Sequence, residues 1–411
     1  MPRTEARRLA IIGAGPIGLE AALLGVQLGF EVRIFERGRI GEHVQRWGHV
    51  RLFSPFGMNT TAGGRAAIKA ELPGHTFPSD DECITGRQHV AAYLEPLSRL
   101  KVLKDCVRTE NQVLYVGRQR LLKDDLAGDP KRANAPFRLL VREKGKERFE
   151  EADVVLDCSG TYGQHRWLGD GGIPAAGELA AENAICYGLE DILGERRNYF
   201  AGKTTLVIGS GFSAATSVVN LAELASSAQE TWVVWLARTA STQPIKRTPN
   251  DPLRERDRLA VRANTLATRT DGNVEFHAQA VIGSVESLGQ DKGFKVTALL
   301  GKSSQPRTWE VDRIIANVGY SPDGSLYREL QVHESYTTLG PMRLATALAE
   351  QPGADCLQHG SRGADALRTP EPNFFILGSK SYGRNPHFLL RVGFEQVREA
   401  FGLLTGKPVK G

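Results

Sequence analysis

Two stretches of the chain share one pattern of apolar and polar positions. Leu9-Ala-Ile-Ile12 is a short apolar run leading into glycines; an Ala- and Leu-rich segment over 19–28 closes at Gly29, and Val32-Arg-Ile-Phe35 follows. A run that is apolar at every position predicts a strand buried on both faces, and the Ala/Leu segment predicts a helix with Gly29 as its C-cap. The same order returns from Thr204: Leu206-Val-Ile208, a glycine turn, an Ala-rich helix over 213–226, and Trp232-Val-Val-Trp-Leu236. This recurrence predicts two βαβ units in tandem.

Between and after them the pattern changes. Residues 37–100 are irregular, punctuated by Gly and Pro, and end in a helix over about 87–100 whose first turn follows Thr85. Alternation over 101–116 and 137–149 predicts a strand meander around a charged loop at 123–136. Ala152-Asp-Val-Val-Leu156 reads as a strand ending at Ser159-Gly160, and Gly169-Asp-Gly-Gly-Ile-Pro as boundary turns. A helix is predicted over 250–268, with Asp251 as N-cap and Pro252 at its first position. A second meander at 274–296, strands at Arg313-Ile-Ile-Ala316 and Phe374-Phe-Ile-Leu377, and a helix over about 393–404 complete the chain. The expected class is α/β with two Rossmann-like dinucleotide-binding domains, the second inserted in the first: 1–165, then 166–325, then 326–411.

Both turns carry phosphate-binding chemistry. Gly13-Ala14-Gly15-Pro16-Ile-Gly18 fits G-x-G-x-x-G between strand and helix. Its glycines serve a tight turn, a close approach of pyrophosphate to backbone, and helix–strand packing, with the helix N-terminus facing the anion. Glu36 ends the second strand, where a carboxylate accepts bonds from ribose hydroxyls and repels a 2′-phosphate, so this site takes FAD or NAD rather than NADP. Gly209-Ser210-Gly211-Phe212-Ser213-Ala214 repeats the motif with alanine last, and its second strand closes on Ala237-Arg238 instead of an acid. A guanidinium there pairs with a 2′-phosphate, which favours NADPH, with NADH as the alternative; Lys246 and Arg247 are further candidates.

Composition narrows the reading. A net charge of +5, with arginines gathered over 247–262, suits phosphate-bearing cofactors or an anionic small molecule and is too scattered for nucleic acid. The five cysteines, at 83, 106, 158, 186 and 356, form no C-x-x-C pair and no zinc spacing, so no metal is expected and thiols in a reducing compartment are. The N-terminal apolar run is too short for a signal peptide and no stretch is long enough to span a membrane, so a cytoplasmic protein is expected.

At this point the chain resembles the two-dinucleotide-binding-domain flavoproteins, and among them the flavin-containing and Baeyer–Villiger-type (class B) flavin-dependent monooxygenases and their bacterial relatives. The resemblance runs over nearly the whole chain. Trp47 with Arg51-Leu-Phe-Ser-Pro55 and Phe77-Pro78, Cys158-Ser-Gly-Thr161 with Gly172-Ile-Pro174, Ala316-Asn-Val-Gly-Tyr-Ser-Pro-Asp323, and Leu377-Gly378 with Gly393, Glu395 and Gln396 all resemble landmarks of that family. It implies FAD on the first motif, with Arg37, Trp47, Val107, Gly378, Ser379 and Gln396 around it, and NADPH on the second. It also implies that Asn59 faces the flavin edge, while Arg384 and His387, in the loop Ser381-Tyr-Gly-Arg-Asn-Pro-His387, are candidates for binding an anionic group or steering protons. Two departures stand out: Ile185-Cys-Tyr187 replaces the histidine of the F-x-G-x-x-x-H fingerprint, and Ser379 replaces an aspartate.

The function implied is an FAD-dependent, NAD(P)H-consuming monooxygenase that activates molecular oxygen as a flavin C4a-hydroperoxide and oxygenates a small N-, S- or carbonyl-containing substrate. The alternatives are an NAD(P)H-dependent flavoprotein reductase without a paired-cysteine relay, in which Cys158 is the one candidate thiol, and a flavin-binding redox sensor.

Overall fold

The computed structural model describes residues 6–289, 291–350, 357 and 360–409. They form two compact units, one built from residues 1–164 and 320–411, the other from 165–319. His165, expected in the first domain, falls in the second unit, and Tyr320–Ser325, expected in the second domain, fall in the first. There the Tyr320 ring packs 4.8 Å from Tyr162 and the Ser321 amide donates to the Gln164 carbonyl at 2.9 Å.

The first unit holds a parallel sheet of β1 (Arg8–Ile12), β2 (Glu31–Phe35), β3 (Val107–Arg108), β7 (Val154–Asp157) and β15 (Phe374–Ile376), in the order β15-β7-β1-β2-β3. β4 (Asn111–Arg118), β5 (Phe137–Glu143) and β6 (Lys146–Ala152) form a separate antiparallel sheet. The interior residues of β1 are buried because the helix α1 (Pro16–Gln27) covers one face while Val116, Phe137 and Leu139 cover the other. α1 is itself apolar nearly all round, lying between the sheet and the C-terminal helix (Leu390–Thr405, α4 below), whose Phe401 meets Phe30 edge-on at 5.5 Å.

The second unit repeats the plan. Its parallel sheet comprises β8 (Thr204–Ile208), β9 (Trp232–Leu236), β10 (Val274–His277) and β14 (Arg313–Ala316), ordered β10-β9-β8-β14. β11 (Ala280–Ser287), β12 (Phe294–Leu300) and β13 (Gln305–Val311) form an antiparallel sheet. Two helices pack together, α2 (Phe212–Ala225) and α3 (Arg254–Thr268); α4 closes the first unit.

Several elements differ from expectation for identifiable reasons. α3 starts at Arg254, not at Pro252, because Asp251 spends its carboxylate on the Leu253 amide and on Arg256, at 2.9 and 2.6 Å. The helix after Thr85, where a capping box with Gln88 forms, contains a π turn over Val90–Leu94. Pro96 has no N–H to offer and its ring crowds the preceding turn. The Ala92 carbonyl takes the His75 imidazole at 2.8 Å instead. Residues 101–106 are turns and Val107–Arg108 pair in parallel with β2, so the predicted meander begins only at Asn111.

One buried charge cluster braces the first unit. Glu371 accepts from Arg118 Nε at 2.8 Å, from Arg132 Nε at 3.0 Å and from the Gln331 amide at 2.8 Å, with all three charged side chains at most 1% exposed. Arg132 also donates to the Leu122 and Asp125 carbonyls, which ties the 123–136 loop down. Removing the one carboxylate leaves two guanidinium groups without a counter-charge. Glu371→Gln is expected to lower unfolding stability by about 3–5 kcal/mol, read as a shifted urea midpoint at unchanged slope.

Candidate nucleotide sites

In an open α/β sheet, ligands bind beyond the carboxyl ends of the strands, where the strand order reverses. That point lies between β1 and β7 in the first unit and between β8 and β14 in the second. The glycine motifs leave β1 and β8, so each sits at its own sheet's reversal.

At the first, Gly13 has φ +100°, and a Cβ there would meet the Cys158 carbonyl oxygen at 2.8 Å. A Cβ on Gly18 would fall 1.9 Å from the Gly13 carbonyl oxygen, whereas Gly15 faces open space. α1 therefore rests directly on the turn, and no side chain caps its first amides. Glu36, 8% exposed, accepts from the Ala14 and Gly38 amides, each at 2.8 Å. The carboxylate thus orders its own loop, and each oxygen keeps a further lone pair for ribose hydroxyls. Arg37 Nη2 lies 3.0 Å from His43 Nε2, and since a guanidinium can only donate, the imidazole accepts there. Burial, then Arg37 and Arg46, push the His43 pKa down to about 4.

The second turn is built alike. Gly209 has φ +140°, and a Cβ there would lie 2.4 Å from the Asn317 carbonyl oxygen. The Trp235 indole donates to the Gly209 carbonyl at 2.8 Å, and the Asn317 side chain joins Ser217 on α2 to the Gly188 carbonyl. Ser210 and Gly211 are exposed, Phe212 and Ser213 half-buried, and α2 begins with no side-chain cap. Arg238, two residues beyond β9, is exposed and makes no ion pair among the described residues. Lys246 is exposed as well, and Arg247 is paired with Asp257 at 2.8 and 3.0 Å.

Other expected site residues have different work. Asn59 is 1% exposed: its amide hydrogens go to the Ser54 and Pro55 carbonyls, and its oxygen accepts from Ser54 Oγ. It is a turn residue, not one that faces a ligand. Gln396, 1% exposed, accepts from the Gly378 amide and donates to Ser381 Oγ, so it shapes the Gly378–Tyr382 turn from within. Trp47 packs its ring against Gly86, and Val107 holds the sheet edge opposite Ile34. Ser379 is half-buried beside Gly160, while Arg384 and His387 are exposed on the segment after that turn.

Four cysteines are free thiols, and Cys356 lies outside the described residues. Burial raises the pKa of Cys106, of Cys158 and of Cys186, the last to about 12. Sequence reasoning missed the buried pair Asp157–Lys380, the cluster of Glu20 with Tyr93 and Thr61, and that of Glu371 with Arg118 and Arg132. The signal for the first was an aspartate closing an otherwise apolar strand.

Residues 10–122 match the profile of the family described as pyridine nucleotide-disulphide oxidoreductase. No curated protein sequence matches the chain. Among solved structures, bacillithiol disulfide reductase Bdr (YpdA) from Bacillus cereus is 19% identical with a TM-score of 0.67, covering 98% of this chain and 100% of that one. DfoA bound to FAD, the cadaverine monooxygenase of desferrioxamine biosynthesis in Erwinia amylovora, is 14% identical with a TM-score of 0.66, over 99% and 96%. Ornithine hydroxylase PvdA from Pseudomonas aeruginosa is 14% identical with a TM-score of 0.63, over 98% and 99%. The fold is that of the two-dinucleotide-binding-domain flavoproteins. Solved structures of that fold include a cadaverine monooxygenase, an ornithine hydroxylase and a disulfide reductase.

Glu20 on α1 carries a pH signature. Burial lifts its pKa from 4.5 to about 7, against the opposing bonds from Tyr93 and Thr61. The folded value exceeds the unfolded one, so the contribution is full below pH 4.5 and is lost as pH rises to about 7. The expected loss is about 3 kcal/mol, absent from Glu20→Gln, when urea unfolding is compared across that range.

Proposed function

We propose that this chain is an FAD- and NADPH-dependent oxidoreductase, and that it acts as a monooxygenase on a small N-, S- or carbonyl-containing substrate with molecular oxygen. The observation that carries the nucleotide assignment is the contrast between two equivalent positions. A half-bonded carboxylate, Glu36, closes the first turn, and a guanidinium without an ion pair, Arg238, closes the second. The first suits a free ribose and the second a phosphorylated one.

The residues present fit both groups. The uncapped start of α1 offers amides to the FAD diphosphate, Glu36 its remaining lone pairs to the ribose, and the Gly160 and Gly378–Ser379 loops a backbone wall. The uncapped start of α2 and Arg238 serve NADPH in the same way. When bound, the flavin supplies the two-electron redox chemistry. Structures of this fold include one bound to FAD and an ornithine N-hydroxylase from Kutzneria with reduced FAD, NADP+ and L-orn.

The thiol chemistry favours oxygenation over disulfide reduction. Disulfide exchange needs a thiolate, and burial makes those of Cys106, Cys158 and Cys186 harder to form, not easier. No cysteine pair exists among the described residues to relay electrons from a flavin.

The purified protein is expected to be yellow, to release FAD on denaturation, and to oxidise NADPH in preference to NADH. Arg238→Ala should raise KM for NADPH at least tenfold, or about 1.4 kcal/mol, and leave NADH kinetics unchanged. Substrate screening under labelled oxygen should place one labelled atom in the product. A colourless protein that takes up no FAD would sink the whole reading; rapid reduction of low-molecular-weight disulfides without oxygen uptake would sink the oxygenation alone.

A further inference from the structure

Beside the first glycine turn lies a buried ion pair between Asp157 and Lys380. Their side chains are 0% and 1% exposed, with Nζ 2.6 Å from Oδ2. Lys380 also donates to Ser159 Oγ at 3.0 Å, and its ammonium lies 5.2 Å from the centroid of the Tyr327 ring. Asp157 Oδ1 accepts from the Ser159 hydroxyl at 2.6 Å and from the Ser159 amide at 3.1 Å. Asp157 is the last residue of β7, and its carbonyl accepts from the Leu377 amide at 3.0 Å.

Asp157 thus closes the strand that runs into one loop, whose Cys158 and Ser159 lie against Gly13, and Lys380 belongs to a second loop, whose Gly378 lies against Ile17 at the start of α1. One is the crossover at 158–161, and the other is the Gly378–Tyr382 turn. Each loop contains a glycine in the left-handed region, Gly160 at φ +71° and Gly378 at φ +73°. Backbone of that kind does not hold its own spacing. A Cβ on Gly160 would stand 3.5 Å from Ser379 Oγ, so the loops face each other at contact distance.

Stability alone does not call for this arrangement. Burying two charges is costly, and apolar residues of similar volume fill such space as well or better. Ile12, Phe374 and Ile376 do so in the strands alongside. What the ion pair adds is a directional tie that fixes both separation and rotation of the loops.

We propose that Asp157 and Lys380 are positioning residues for the flavin dinucleotide, locking the 158–161 crossover to the Gly378–Tyr382 turn so that together they form one rigid wall of its site. This rests on the FAD assignment above. Neither side chain touches the cofactor; both act through the backbone of Ser159–Gly160 and Gly378–Ser379. The turn presents Ser379 where the family resemblance implies a carboxylate, and Asp157 spends its charge on Lys380 inside the fold.

The test is FAD titration of the full-length chain, followed by quenching of flavin fluorescence and by the fine structure of the visible absorption band. The variants are Asp157→Asn combined with Lys380→Met, which removes both charges and leaves neither unpaired, and Ser159→Ala, which keeps the pair and the Ser159 amide bond to Asp157 but removes the hydroxyl that joins both charges to the crossover. The double variant is expected to melt close to the unmodified protein, to bind FAD at least tenfold more weakly, and to lose the resolved shoulder of the bound flavin. Ser159→Ala should show a smaller loss in the same direction, and it decides the matter if the double variant does not fold. Unchanged affinity and spectrum in a folded variant would overturn the proposal and leave the FAD assignment standing. Failure of the unmodified chain to bind FAD would overturn both.

Discussion

Backbone contact at two strand ends governs the architecture. Where the order of a parallel sheet reverses, the loops leaving neighbouring strands part, and one of them must turn back into a helix. In this protein that turn passes so close to the adjacent loop that a single methyl group would collide with a carbonyl oxygen, at Cys158 in one unit and Asn317 in the other. Only glycine at 13 and 209 permits it. The same closeness brings the first amides of α1 and α2, uncapped by side chains, to the mouth of each sheet. The geometry that suits an anion is set at both places by the chain path, before any charged side chain is considered.

Charged side chains then divide into those that finish the fold and those that are left to meet a ligand. Glu371 gathers Arg118 and Arg132, and Asp157 holds Lys380; each of these is closed on itself. Arg238 is not, and Glu36 is closed only in part. The difference matters because a guanidinium already paired with a carboxylate has little left to offer a phosphate. Selectivity between nucleotides depends less on how many arginines lie near a site than on which of them the fold has left unspent.

The glycine turns and their flanking strands and helix were legible in the chain because everything that makes them is local. Apolar runs buried on both faces, an Ala-rich helix and a spacing of a few residues suffice for β1–α1–β2 and β8–α2–β9. The π turn over Val90–Leu94 was less so: Pro96 announced a disturbance in the helix, but that Ala92 would be rescued by His75 requires two segments to meet. Asn59 was misread for the same reason. Its type and place suggested a group facing a ligand, and only the fold shows its amide turned inward on Ser54 and Pro55.

By itself the sequence determined the class of fold, the two nucleotide turns and the opposite charges that close them, since each is written within about thirty consecutive residues and depends on short-range sterics and periodicity. Tertiary structure decided which candidates remain available. It paired Arg247 with Asp257, turned Gln396 onto the backbone of Gly378 and joined Asp157 to Lys380 across 223 positions of chain. Such pairings are made by whichever groups burial brings within reach, and long-range proximity has no signature in local pattern.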